Sequence, residues 1–65
     1  MDNYSRVIIN GRDYTEKYFN GVYTLFKNKR VLAMVTTSNK TGLYVTGNIK
    51  DVNKWFLSLG VTNIM

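Results

Sequence analysis

Sixty-five residues carry nine Lys and Arg against four Asp and Glu, with no Cys, no His and no Pro, so the chain is small and basic, with a formal charge of +5. A chain this short supports one hydrophobic core, and a single domain over residues 1–65 is expected. The absent thiols and imidazoles exclude disulfide staples and the usual zinc sites, while a hydrophobic fraction of 45% is that of a folded domain and not a disordered tail.

In chain order, the start Met1-Asp2-Asn3-Tyr4-Ser5-Arg6 is polar and lacks the apolar core of a signal peptide, and no apolar run approaches the roughly 20 residues that span a bilayer. A soluble cytoplasmic protein without a membrane partner is expected. Arg6-Val7-Ile8-Ile9-Asn10 is short and β-branched and ends in the turn-prone Asn10-Gly11, which reads as a first strand. Tyr18, Phe19, Val22, Leu25 and Phe26 then draw an apolar stripe at helical spacing. That stripe predicts a helix over 14–27, capped by Asp13 with Glu16 reaching back in a variant capping box, and with Lys27, Lys29 and Arg30 at its negative end.

Residues 30–37 read as a second strand with apolar side chains of both parities, Val31, Ala33 and Val35 against Leu32 and Met34. A polar turn over 37–41 leads to a third strand over 43–46. Ile49, Val52, Phe56 and Leu59 predict a second helix, capped by Asn48, with Asp51 in its first turn and Gly60 at its end. Residues 61–65 supply a last short strand. The order βαββαβ is that of a ferredoxin-like α+β sandwich, a four-stranded antiparallel sheet with the first and third strands central and two helices on one face. Its helix-covered side is expected to hold Val7, Ile9, Val31, Ala33, Val35, Leu43 and Val45. Its open side is expected to present Ile8, Leu32, Met34 and Tyr44, with Ile64 beside them, and so much apolar surface calls for a cover. Aliphatic and Met side chains favour a second copy of the chain there over stacked bases, which makes a homodimer the expected state.

The charge points to a polyanion, and nucleic acid, DNA or RNA, is the first expectation. Arg12, Lys27, Lys29, Arg30, Lys50 and Lys54 are the candidate phosphate contacts, since loop and helix-face cations suit that role. A larger protein partner, engaged through the apolar face or a strand edge, is the alternative. No catalytic set is recognisable: Ser5, Ser38 and Ser58 have no base beside them, the acids are dispersed, and neither metal nor cofactor is expected.

Ile9-Asn10-Gly11-Arg12, followed by Tyr18 and Thr24-Leu25-Phe26, resembles the opening of the Alba family of archaeal chromatin proteins over residues 1–26. The chain departs from that family in its strand over 41–46 and in lacking the long basic β-hairpin. The resemblance implies an Alba-like α/β two-layer fold as the alternative architecture, nucleic-acid binding, and Arg12 at the position of a nucleic-acid-contacting basic residue.

Overall fold

Asn-Gly occurs twice, at Asn10-Gly11 and Asn20-Gly21, and both pairs hold positive φ, 51° and 80° in the first and 49° and 79° in the second. Asn28-Lys29 does the same at 51° and 66°. Two successive residues at positive φ form the type I′ turn, whose twist matches that of two antiparallel strands. The computed structural model, which describes residues 3–65 and leaves Met1 and Asp2 of the polar start outside the described residues, accordingly opens with four strands joined by three tight turns. These are β1 (Asn3–Ile9), β2 (Arg12–Phe19), β3 (Val22–Lys27) and β4 (Arg30–Thr36), each antiparallel to the last. A wider turn leads to β5 (Thr41–Tyr44), after which α1 (Ile49–Ser58) crosses one face and returns the chain to β6 (Asn63–Ile64), parallel to β5. Among the described residues the result is one six-stranded mixed sheet in the order β1-β2-β3-β4-β5-β6 with a single short helix.

The ferredoxin-like expectation is therefore corrected. The span 14–27 forms two strands and no helix, so the sheet is not four-stranded and, among the described residues, one helix covers it. The Alba-like alternative needs a helix after the first strand and fails with it. Asp13 and Glu16 consequently have other partners: Asp13 pairs with Arg6 at 2.9 Å, and Glu16 accepts the Trp55 Nε1–H at 2.8 Å. Aromatic and β-branched side chains dominate 14–26 and suit a pleated surface better than a helix.

The second expected helix forms. Asn48 Oδ1 accepts the Lys50 and Asp51 amides at 3.0 and 3.2 Å, satisfying two donors that a helix start leaves open. At the other end, Gly60 at φ 74° lets its own N–H reach the Leu57 carbonyl while Val61 N–H reaches Phe56, a Schellman closure. α1 lies on the sheet through Val52, Trp55 and Phe56, against Ile9, Tyr14, Leu25, Leu32, Ala33 and Val35. Phe56, Leu25, Val35 and Val52 are wholly enclosed, each stabilising the fold by roughly 1.5–3 kcal/mol relative to an exposed position. Gly42 permits that approach, because a Cβ there would stand 2.8 Å from the Phe56 ring.

Strand parity assigns every other side chain to the bare side of the sheet. Cross-strand rows there run Tyr4, Lys17, Thr24, Met34, Leu43, and beside it Phe19, Val22, Thr36, Thr41. Two of the four residues expected on the open face, Ile8 and Met34, belong to it; Leu32 and Tyr44 do not. A β-bulge opposite Leu25 and Phe26 lets Phe26 pair with Val31 and Leu25 with Ala33, so the intervening Leu32 turns into the core. Tyr44, opposite Ala33, also faces the helix side and donates its hydroxyl to the Gly47 carbonyl at 2.7 Å. The same bulge moves Val31 out of the covered set, and Leu43, opposite Met34, is also on the open face, 43% exposed.

Candidate nucleic-acid interface

Antiparallel strands joined by short turns bring alternate turns to the same end of a sheet. Here the β1–β2 turn, the β3–β4 turn and the start of α1 share one end. Arg12 follows the first of these turns, Lys27, Lys29 and Arg30 flank or form the second, and Lys50 lies in the first turn of α1. Lys54, one turn further along α1, donates to Asn10 Oδ1 at 3.2 Å and so leans towards that end. The six cations singled out in the sequence thus occupy neighbouring positions at one pole, although residues 12 and 54 are far apart in the chain.

Between these elements lies an open concavity of about 460 Å³, lined by Arg12, Lys27 and Arg30 with Asn28, Asn48, Gly47, Tyr14 and Leu32. Among the described residues no carboxylate lines it. Its cations are held in different ways. Lys27 donates to the Asp13 carbonyl at 2.8 Å and sits 5.0 Å from the centre of the Tyr14 ring. Arg12 is tethered through Nη1 to both oxygens of Asp51, at 3.2 and 3.1 Å, yet keeps about half of its side chain exposed. Lys29, Arg30 and Lys50 make no side-chain hydrogen bond or ion pair among the described residues, which leaves them mobile enough to follow a phosphate.

Behind the concavity stands Asp51, fully buried in the third residue of α1. Its carboxylate accepts the Tyr14 hydroxyl, the Asn10 amide at 2.8 Å and Arg12, and so ties the helix start to the β1–β2 hairpin. The Tyr14 and Asn10 hydrogen bonds, outweighing burial and aided by Arg12, hold the Asp51 carboxyl below the ordinary carboxylate range. Burial, then the hydrogen bond to Asp51, pushes the Tyr14 hydroxyl up to about 12. From sequence Asp51 has only a helix-end role, and nothing marks Tyr14. The two lie 37 residues apart, and no local pattern announces their contact. The nearest sequence signal is the cluster of hydrogen-bonding residues Asn10, Arg12 and Tyr14 around the first Asn-Gly turn.

The bare face of the sheet is the second candidate surface. Ile8, Phe19 and Tyr4 are 67%, 59% and 55% exposed there. Lys17 lies between Tyr4 and Phe19, 5.5 and 5.7 Å from the two ring centres. Phe19 and Phe26 belong to the stripe that reads as a helix from sequence, which hides Phe19 as an exposed aromatic and Phe26 as a partly buried one beside it. Among the described residues no three acidic, His or Cys side chains gather to hold a metal ion, and no helix is long and apolar enough to cross a membrane.

No protein-family model, curated protein or solved structure matches the chain.

Proposed function

We propose that the chain is a non-enzymatic nucleic-acid-binding protein of the cytoplasm that grips the sugar-phosphate backbone with its cationic pole. The observation that carries this reading is the gathering of Arg12, Lys27 and Arg30 around one concavity with no carboxylate in its wall among the described residues. Lys29 and Lys50 stand beside it on the adjoining turn and helix start. Of the acids near the pole among the described residues, Asp51 offsets Arg12 from behind and Asp13 is committed to Arg6, which leaves Lys29, Arg30 and Lys50 without an ion-pair partner there. Arg12 is held by Asp51 and Lys27 by a backbone carbonyl, so little side-chain freedom is lost when an anion arrives. Contacts of this kind are insensitive to base sequence and release counterions on binding.

The test is a salt titration of affinity for DNA and RNA, duplex and single-stranded, beginning at low ionic strength. Binding should weaken steeply with salt, and the combined variant Lys29→Ala/Arg30→Ala should lower the slope of log affinity against log salt by about one for each lost contact. Absence of binding to every one of these nucleic acids at low salt would refute the reading.

A further inference from the structure

Three smaller hollows continue the cationic concavity round the end of β3 and β4 onto the bare face. Asn28 and Lys27 line both the concavity and a hollow of about 230 Å³ beside Phe26, Arg6 and the Asp13 carboxylate, whose charge Arg6 offsets at 2.9 Å. Asn28 and Phe26 then recur in a hollow of about 310 Å³ with Tyr4 and Lys29. Phe26 closes the series in one of about 390 Å³ on the open sheet, with Phe19, Lys17, Val22, Val31 and Met34. Shared walls make these hollows one band in which cations and rings are interspersed: Arg12, Arg30 and Tyr14, then Lys27, Arg6 and Phe26, then Lys29 and Tyr4, then Lys17 and Phe19.

We infer that this band is a track for one single strand of nucleic acid, with phosphates on the cations and unpaired bases stacked on Tyr4, Phe26 and Phe19. The inference rests on the backbone-binding reading above and narrows its ligand from nucleic acid in general to an unpaired strand. Three arguments support the narrowing. Exposed ring faces reward only bases whose own faces are free, and a duplex keeps those inside its stack. The band turns from one side of the sheet to the other in a molecule whose least extent is 17 Å, a bend far tighter than the persistence length of about 150 base pairs lets a duplex follow. Charge speaks against a second copy as the occupant. Packing two bare faces together would remove both Lys17 ammonium groups from water, and no carboxylate among the described residues pairs with Lys17. A strand brings the phosphates that such a cation lacks.

The experiment measures fluorescence anisotropy of labelled oligothymidine and of a labelled duplex, each about 12 nucleotides or base pairs long, against the wild type, Phe19→Ala, Phe26→Ala and Lys29→Ala/Arg30→Ala. Thermal melts establish that each variant is folded. Phe19 is the more exposed ring, so Phe19→Ala keeps the test decisive if Phe26→Ala does not fold. The single strand should bind at least tenfold more tightly than the duplex, and Phe19→Ala should weaken the single strand about tenfold while leaving the duplex unchanged. Equal affinity for both ligands, lowered by Lys29→Ala/Arg30→Ala and untouched by Phe19→Ala, would overturn the track and leave backbone binding standing. A dimer by sedimentation that Phe19→Ala dissociates, with single-strand affinity unaltered, would assign the face to a second copy and also overturn it. No binding to either ligand would remove both readings together.

Discussion

The two faces of this sheet are built from the same strands, one residue out of step, and they differ in almost every physical respect. On the helix side Leu25, Ala33 and Val35 are enclosed with Val52 and Phe56, and the polar groups that enter, Asp51, Tyr14 and Glu16, all have hydrogen-bond partners. On the bare side Ile8, Phe19 and Leu43 stand in water, and Lys17 rests between rings with no carboxylate to answer it among the described residues. The difference teaches that burial carries the stability of this small fold on one side, while the other side is free to be composed for contact. A substitution should therefore cost folding or binding according to the parity of its position.

The covered side gives the largest expected effect. Phe56→Ala should cost about 3–5 kcal/mol, comparable with the whole stability of a domain this size, and circular dichroism should find the variant mostly unfolded at room temperature. Gly42→Ala, which sets a methyl group against the Phe56 ring, should cost about 1–3 kcal/mol in a denaturant melt. Gly21→Ala, at φ 79° in the second Asn-Gly turn, should cost about 1–2 kcal/mol, because a β-carbon is disfavoured in that backbone region. On the bare side Ile8→Thr should move stability by no more than about 0.5 kcal/mol, and a larger loss would mean that the two faces are less independent than their burial implies.

Acid sharpens the same contrast. Asp51 titrates below its ordinary value of 3.8 in the folded chain, so the folded state favours the ionised form, and this contribution is fully present above 3.8. It should fade as pH drops below 3.8 through the depressed value. Asp51→Asn should flatten the acid limb of a stability profile in that window. Tyr14 gives the opposite sign at the alkaline end: its contribution is complete below 10 and should be lost as pH rises from 10 towards about 12. Tyr14→Phe should remove that alkaline loss.

Much of the second half of the fold was legible in the sequence and much of the first was not. The helix at 49–58 declared itself through an apolar face bounded by Asn48 and Gly60, two terminal signals that agree with its periodicity. The segment 14–27 misled because the stripe Tyr18, Phe19, Val22, Leu25, Phe26 sums two faces of a hairpin. Tyr18 and Leu25 point towards the helix side, whereas Phe19, Val22 and Phe26 line the bare one, and together they imitate a helical period. Gly21 within that stripe was the discordant residue, since Asn20-Gly21 repeats the dipeptide already read as a turn at Asn10-Gly11. The candidate cations could be named from charge and loop context. Their gathering at one end depended on the number of hairpins, and the burial of Asp51 on pairings with Asn10 and Tyr14 across 41 and 37 residues.

The most direct measurement is a titration of isotope-labelled protein with oligothymidine at low salt, following each backbone amide by NMR. Perturbations should be largest at residues 28–30 and at Phe19 and Phe26, with α1 from Trp55 onward nearly silent. Perturbations centred on the opposite pole, around Lys40 and Gly60, would contradict the account, as would none at all.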